Sequence, residues 1–260
     1  MSSYPGPGPT QAREYDLAWI EEHIKEEQDA ISILGEIREV VFGAQDGLVS
    51  TLAVVATVAG ATSDQLSVLV AGFAAALAGV FSMAIGEYMS SKSQEEIYDW
   101  HITDEREEVH DRPEEAEAEV AFMFMEEGME PDDAWDAASI IARHPDSLLA
   151  TMVSKELGLI VEDPSGTPFR GAMFMGGAFA VGSAFPLVPY FFASGTGALI
   201  GAIISTGVAL FALGAFKSRW THRSWVTSGL EIVVLAAIAG GAGYAVGTVL
   251  PELFGFAVPA

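Results

Sequence analysis

Long apolar runs alternate with acidic stretches along this chain. Five runs, at about 40 to 61, 66 to 89, 171 to 192, 196 to 216 and 226 to 250, each hold some twenty mostly apolar residues. A helix rises about 1.5 Å per residue, so a run of that length covers the ~30 Å hydrocarbon core of a bilayer. The pattern predicts an all-α, polytopic membrane protein with five transmembrane helices. The short ATSDQ connection makes the first two spans an antiparallel hairpin. Upstream, residues 14 to 39 place Leu17, Ile20, Ile24, Ile31 and Leu34 at largely helical spacing among acids. This predicts an amphipathic helix feeding into the first span. The segment before it, MSSYPGPGPTQAREYD, reads as a flexible lead without the basic start and apolar run of a signal peptide. In the fifth span GGAGYAVG has the small residues that suit close helix packing.

Between the second and third spans lies one large polar insert. Residues 91 to 169 carry 22 acidic and 5 basic residues, a net charge of -17. Breaks are predicted at Pro113, at Gly128 to Pro131 and around His144-Pro145, giving four helical pieces of which the first continues out of the second span. The piece PEEAEAEVAFMFMEEG keeps Val120, Phe122, Met123 and Phe124 close enough to bury one face, so the insert reads as folded. The expected organisation is a lead and amphipathic helix over 1–39, two spans over 40–90, an acidic helical domain over 91–169 and three spans over 170–260.

Composition sharpens this picture. The chain of 260 residues is 50% hydrophobic yet carries a formal charge of -24, so apolar and acidic residues are segregated along it. All twelve Lys and Arg fall in the N-terminal segment, the long insert with Arg170, and the KSRWTHR loop. The positive-inside tendency then puts the N-terminus and the insert in the cytoplasm and the C-terminus outside. With no cysteine, iron-sulfur clusters and Cys-based zinc sites are excluded, and any metal is held by oxygen, nitrogen or thioether. For any single insert acid, solvation of a surface is the leading role, about three to one.

An ionisable group at membrane depth costs at least about 2.5 kcal/mol, which makes it a functional candidate by default. Asp46, between Gly43 and Gly47 in the first span, is the clearest case; its bland alternatives are contact with water at the cytoplasmic edge or a hydrogen bond to a neighbouring helix. In the second span Met83 and Glu87 stand four apart, on one helix face. With Asp46 they offer a divalent first-row metal two hard oxygens and a softer sulfur, a mixed set that tolerates Fe(II) or Mn(II); magnesium and calcium prefer all-oxygen shells. Glu231 in the fifth span reads as an anchor paired with Arg223 or Lys217, or as a proton carrier. In the insert, Glu105 with Glu108, Glu115 with Glu119, and Met152 with Glu156 each share a helix face, a weak signal where acids are so dense. His101, His110 and His144 read as exposed histidines.

At REVVFGAQDGLVSTLAVVA, SMAIGEYMSSKSQ, PLVPYFF and KELGL the sequence resembles the vacuolar iron transporter family, with its fungal vacuolar and plant nodulin-like members. The resemblance runs from about Arg38 to the end of the fifth span. It implies a homodimer of five-span protomers that exports Fe(II) and related divalent ions from the cytosol in exchange for protons, along a path between the protomers lined by the first two spans. Asp46 and Met83 match the positions that handle the moving ion. The family's metal-binding domain maps onto Glu105, Glu108, Glu119, Met152 and Glu156. The chain departs from the family at Ala116, where a ligand glutamate is expected and Glu115 is preferred over Glu117 as its substitute. It departs again at Ala75, where Glu87 is the candidate replacement at a different height.

The function expected is therefore a divalent metal transporter for Fe(II), with Mn(II) second and Zn(II) a further ion for the cytoplasmic domain. No prosthetic group, enzymatic activity or nucleic-acid partner is expected. Competing readings are a membrane-anchored metal buffer or sensor without flux, and an ion channel that needs no opposing proton gradient. No Gly-rich phosphate loop or Ser-His-Asp arrangement supports an enzyme. A prokaryotic plasma membrane is the expected location.

Overall fold

The computed structural model describes residues 17–158, 167–221 and 224–254, and among them every regular element is a helix. These are α1 (Leu17–Ala61), α2 (Gln65–Asp111), α3 (Pro113–Glu126), α4 (Pro131–Ala142), α5 (Pro145–Lys155), α6 (Pro168–Leu187), α7 (Pro189–Phe192), α8 (Gly195–Thr221) and α9 (Trp225–Phe254). Among the described residues five segments are long and apolar enough to cross a membrane: Gly35–Ala61, the apolar first half of α2, Pro168–Phe192, Gly195–Arg219 and Trp225–Val249. The protein is an integral membrane protein of all-helical fold. Its residues fall into two compact units, one formed from Met1–Glu87 and Phe169–Ala260, the other from Tyr88–Pro168.

The amphipathic helix and the first span are a single unbroken helix, α1, since no Pro interrupts residues 17 to 61. Ile20 is half-buried in it, whereas Trp19 and Ile24 are exposed. After Ala61 the chain turns within three residues, and Asp64 caps α2 by accepting the Ser67 backbone N–H at 2.8 Å, which satisfies one orphan donor of the helix start.

The membrane unit is held by backbone-to-backbone contact. A Cβ placed on Gly43 would lie 2.3 Å from the Met175 carbonyl oxygen, and one on Gly47 2.3 Å from that of Phe179, so α1 and α6 meet with no room for a side chain. The glycines that flank Asp46 therefore seat a neighbouring helix. At the other end of α1, Gly243 and Gly247 of α9 approach the Ala53 and Thr57 carbonyls in the same manner, and the Thr57 hydroxyl donates to the Gly243 carbonyl at 2.8 Å. The GGAGYAVG stretch thus forms a helix contact of the small-residue kind. Thr51 and Ser183, both buried, share a hydrogen bond of 3.0 Å between α1 and α6.

The third span departs from a plain helix. It breaks between Leu187 and Pro189, because Pro189 has no N–H to continue the ladder and opens the short α7 instead. On α2, Leu66, Val70, Phe73, Leu77 and Phe81 recur at helical spacing and are all exposed. A stripe this apolar suits lipid or another apolar surface, not water.

In the second unit, α3, α4 and α5 each begin with Pro at the first helical turn, where the missing N–H costs nothing. Val109, Ala116, Val120, Ala121, Ala138, Leu148, Leu149, Met152 and Val153 form its buried core, with Met123 and Phe124 packed at its edge. Phe122 corrects the expectation that it joins this face: it points outward and is exposed, since it lies two residues from Val120 and so about 200° around the helix. Residues 159–166, which close the expected domain, lie outside the described residues.

Candidate metal centre

Three helices of the second unit bring acids together. Glu105 and Glu108 stand one turn apart near the end of α2, Glu115 and Glu119 one turn apart on α3, and Glu156 just past α5. One carboxylate oxygen from each of Glu108, Glu115 and Glu119 lies within 4.8 Å of the others. Glu105 is nine-tenths buried, and its Oε2 is shielded from solvent without a hydrogen-bond partner, as is Oε1 of Glu108. A buried carboxylate oxygen without a donor is costly, and a bound cation would satisfy it.

The electrostatics agree with that gathering. Burial, then the charges of Glu156, Glu108 and Glu119, push Glu105 up to about 7. Glu119 is also raised, by burial first and then by Glu108 and Glu156. Ordinary carboxylates do not hold a proton at neutral pH, so this cluster resists full ionisation there. Because a dication binds the ionised form, divalent affinity should fall as pH drops through about 7, with up to one proton released from Glu105 per ion bound below that range and none well above it. Mn(II) titrations of the full protein at pH 6 and pH 8 check this; equal affinity would contradict it.

Met152 lies fully buried in the apolar core beside Val109 and Ala116, and the Glu156 backbone N–H closes the helix on the Met152 carbonyl at 2.8 Å. Ala116 points into that same core, so its methyl group stands where a longer acid would reach inward. Glu117 is turned elsewhere: Ser139 of α4 donates to its Oε1 at 2.5 Å. Glu115, by contrast, sits with Glu108 and Glu119, and Arg112 binds it at 2.8 Å and Glu108 at 3.0 Å. His101 is half-buried with its ring edge-on to Trp100, while His110 and His144 are exposed.

In the membrane unit Asp46 is half-buried on α1, and among the described residues no side chain pairs with its carboxylate; the Ser50 hydroxyl donates to its backbone carbonyl at 2.6 Å. Met83 and Glu87 are half-buried on α2. Glu87 lies within electrostatic range of Glu39, an acid that residue spacing did not single out. Glu39 Oε2 is solvent-shielded and lacks a hydrogen-bond partner, and Gly171 leaves the space its carboxylate fills, since a Cβ there would come within 2.9 Å of Oε1. The signal was present as the acid that opens the REVVFGAQDGL motif. Nearby, Arg170 is engaged by Glu36 at 2.6 Å. Glu231 is exposed on α9, and Arg223, one of its two expected partners, lies outside the described residues.

Five apolar spans with a half-buried acid in the first, and a helical unit that gathers carboxylates around the buried Glu105, define a polytopic membrane protein with a cluster of acids able to hold a metal ion. Residues 37–248 match the VIT family, and the chain belongs to that family. It is 33% identical to vacuolar iron transporter 1 of Tulipa gesneriana over 80% of this chain and 85% of that protein. It is 32% identical to vacuolar iron transporter 1 of Arabidopsis thaliana over 83% of this chain and 87% of that one. Protein CCC1 of Saccharomyces cerevisiae is 30% identical over 80% of this chain and 67% of its own length. The family is one of transporters, not enzymes.

Proposed function

We propose that the protein exports Fe(II), and Mn(II) as a second ion, from the cytosol in exchange for protons. Several relatives are named for iron transport. The observation that carries the reading for this chain is the convergence of Glu105, Glu108, Glu115, Glu119 and Glu156, with two shielded oxygens that lack donors. Oxygen donors joined by a thioether would suit Fe(II) and Mn(II) better than magnesium or calcium. In this reading the acidic unit is cytoplasmic and collects the ion, and Met152 adds its sulfur when the site closes around it.

Asp46, Met83 and Glu87 then carry the ion across. A carboxylate in an apolar setting favours its protonated form and a bound dication favours the ionised one, so Asp46 alternates between proton and metal. The path runs at the interface of a homodimer, and the exposed apolar stripe of α2 supplies a surface for the second protomer. The membrane is a prokaryotic plasma membrane, with the N-terminus inside and the C-terminus outside.

Flux of Fe(II), Mn(II), Zn(II) and Ca(II) into liposomes bearing the protein tests the proposal. Fe(II) and Mn(II) should cross saturably and Ca(II) should not. Tight binding without any crossing would favour a membrane-anchored buffer instead.

A further inference from the structure

Arg112 lies in the one-residue break between α2 and α3, and it is joined to both helices twice over. Through the backbone, its N–H donates to the Glu108 carbonyl at 2.8 Å, and its own carbonyl accepts the N–H groups of Glu115 and Ala116 at 3.0 and 3.1 Å. Through the side chain, Nη2 holds Oε2 of Glu108 at 3.0 Å and Nη1 holds Oε2 of Glu115 at 2.8 Å. The guanidinium thus spends one arm on each helix, the planar fork that an ammonium group lacks.

Which oxygens are held decides what this cation does. Both arms take Oε2, which leaves the two Oε1 atoms unclaimed by Arg112, and Oε1 of Glu108 is shielded from solvent with no hydrogen-bond partner. Oε2 of the nine-tenths buried Glu105, one turn back on α2, is in the same condition. A guanidinium that competed with the metal would sit on these shielded oxygens; here it holds the other oxygen of Glu108 and leaves the shielded one without a partner.

Building on the metal-site reading above, we infer that Arg112 is a positioning residue for the divalent cation: its fork fixes Glu108 and Glu115 across the α2–α3 break and presents their free oxygens to the ion. Partners that orient metal ligands from outside the coordination shell typically contribute 10–100-fold to affinity. The opposite expectation follows if Arg112 acts only as a nearby positive charge, since its removal would then strengthen binding of a dication.

The test is a Mn(II) titration of the full-length protein in detergent, followed by electron paramagnetic resonance, for the parent, Arg112→Gln and Arg112→Lys. Arg112→Gln should bind about tenfold more weakly, and the bound-Mn(II) spectrum should broaden as the ligands lose their fixed geometry. Arg112→Lys keeps the charge but reaches one carboxylate at a time, so it should restore only part of the affinity and leave the broadened spectrum. Arg112 is more than half exposed, so the variants should unfold at the parent's temperature. Equal or tighter binding by Arg112→Gln, or full rescue of the parent spectrum by Arg112→Lys, overturns the assignment while leaving the metal site standing. A parent protein that binds no Mn(II) saturably overturns the metal-site reading itself, and this assignment with it.

Discussion

Asp46→Asn should abolish metal-driven proton flux in proteoliposomes while leaving the protein folded. The neutral amide keeps the size of the side chain and removes the one feature that a dehydrated dication needs, a full negative charge in an apolar span. Depriving a buried ion of its charged partner costs about 3 kcal/mol or more, on the order of a hundredfold in rate. Folding should be spared, because helix packing here depends on Gly43 and Gly47 meeting α6, and no described side chain pairs with the Asp46 carboxylate. Size-exclusion profiles and helical content should match the parent. Undiminished flux in the variant would remove Asp46 from the path.

The second large effect is expected at the acidic unit. Changing Glu105, Glu108, Glu119 and Glu156 together to Gln should eliminate Fe(II) binding at that unit, measured on the full protein under anaerobic conditions. The same change should stabilise the metal-free protein. Glu105 titrates near 7 when folded against roughly 4.3 for a free glutamate. Its raised value means that the folded state loses stability as pH climbs from the unfolded value toward about 7, and that this loss persists above it. Neutral amides remove the penalty, so thermal unfolding at pH 8 should occur at a higher temperature in the variant. Loss of binding with unchanged or lowered stability would point to damaged packing; unchanged binding would make the acids a solvated surface.

Much of this architecture is legible from residue order because the membrane imposes a coarse rule. Twenty apolar residues in a row have few other uses, and the prolines at 113, 131 and 145 break helices for reasons independent of tertiary structure. The break at Pro189 is less visible, since hydropathy continues unchanged across it. Within the insert, spacing placed Glu105 with Glu108 and Glu115 with Glu119 but carried no information on depth: Glu105 is buried and Glu115 exposed. That difference arises from how α2 and α3 pack over Val109 and Ala116. Arg112 escaped notice for a related reason, as a lone cation among acids is unremarkable until both of its arms are seen to be occupied. Glu39 belonged to a recognised motif, yet only the bare backbone of Gly171 reveals that its carboxylate occupies enclosed space.

The most direct measurement is simultaneous recording of Fe(II) and pH inside liposomes that contain the protein, with and without an imposed pH gradient. Fe(II) should enter saturably, run faster against an opposing proton gradient, and drive protons the other way when no gradient is imposed. Fe(II) that is bound but never crosses, or crosses with no counter-movement of protons, would contradict exchange of metal for proton.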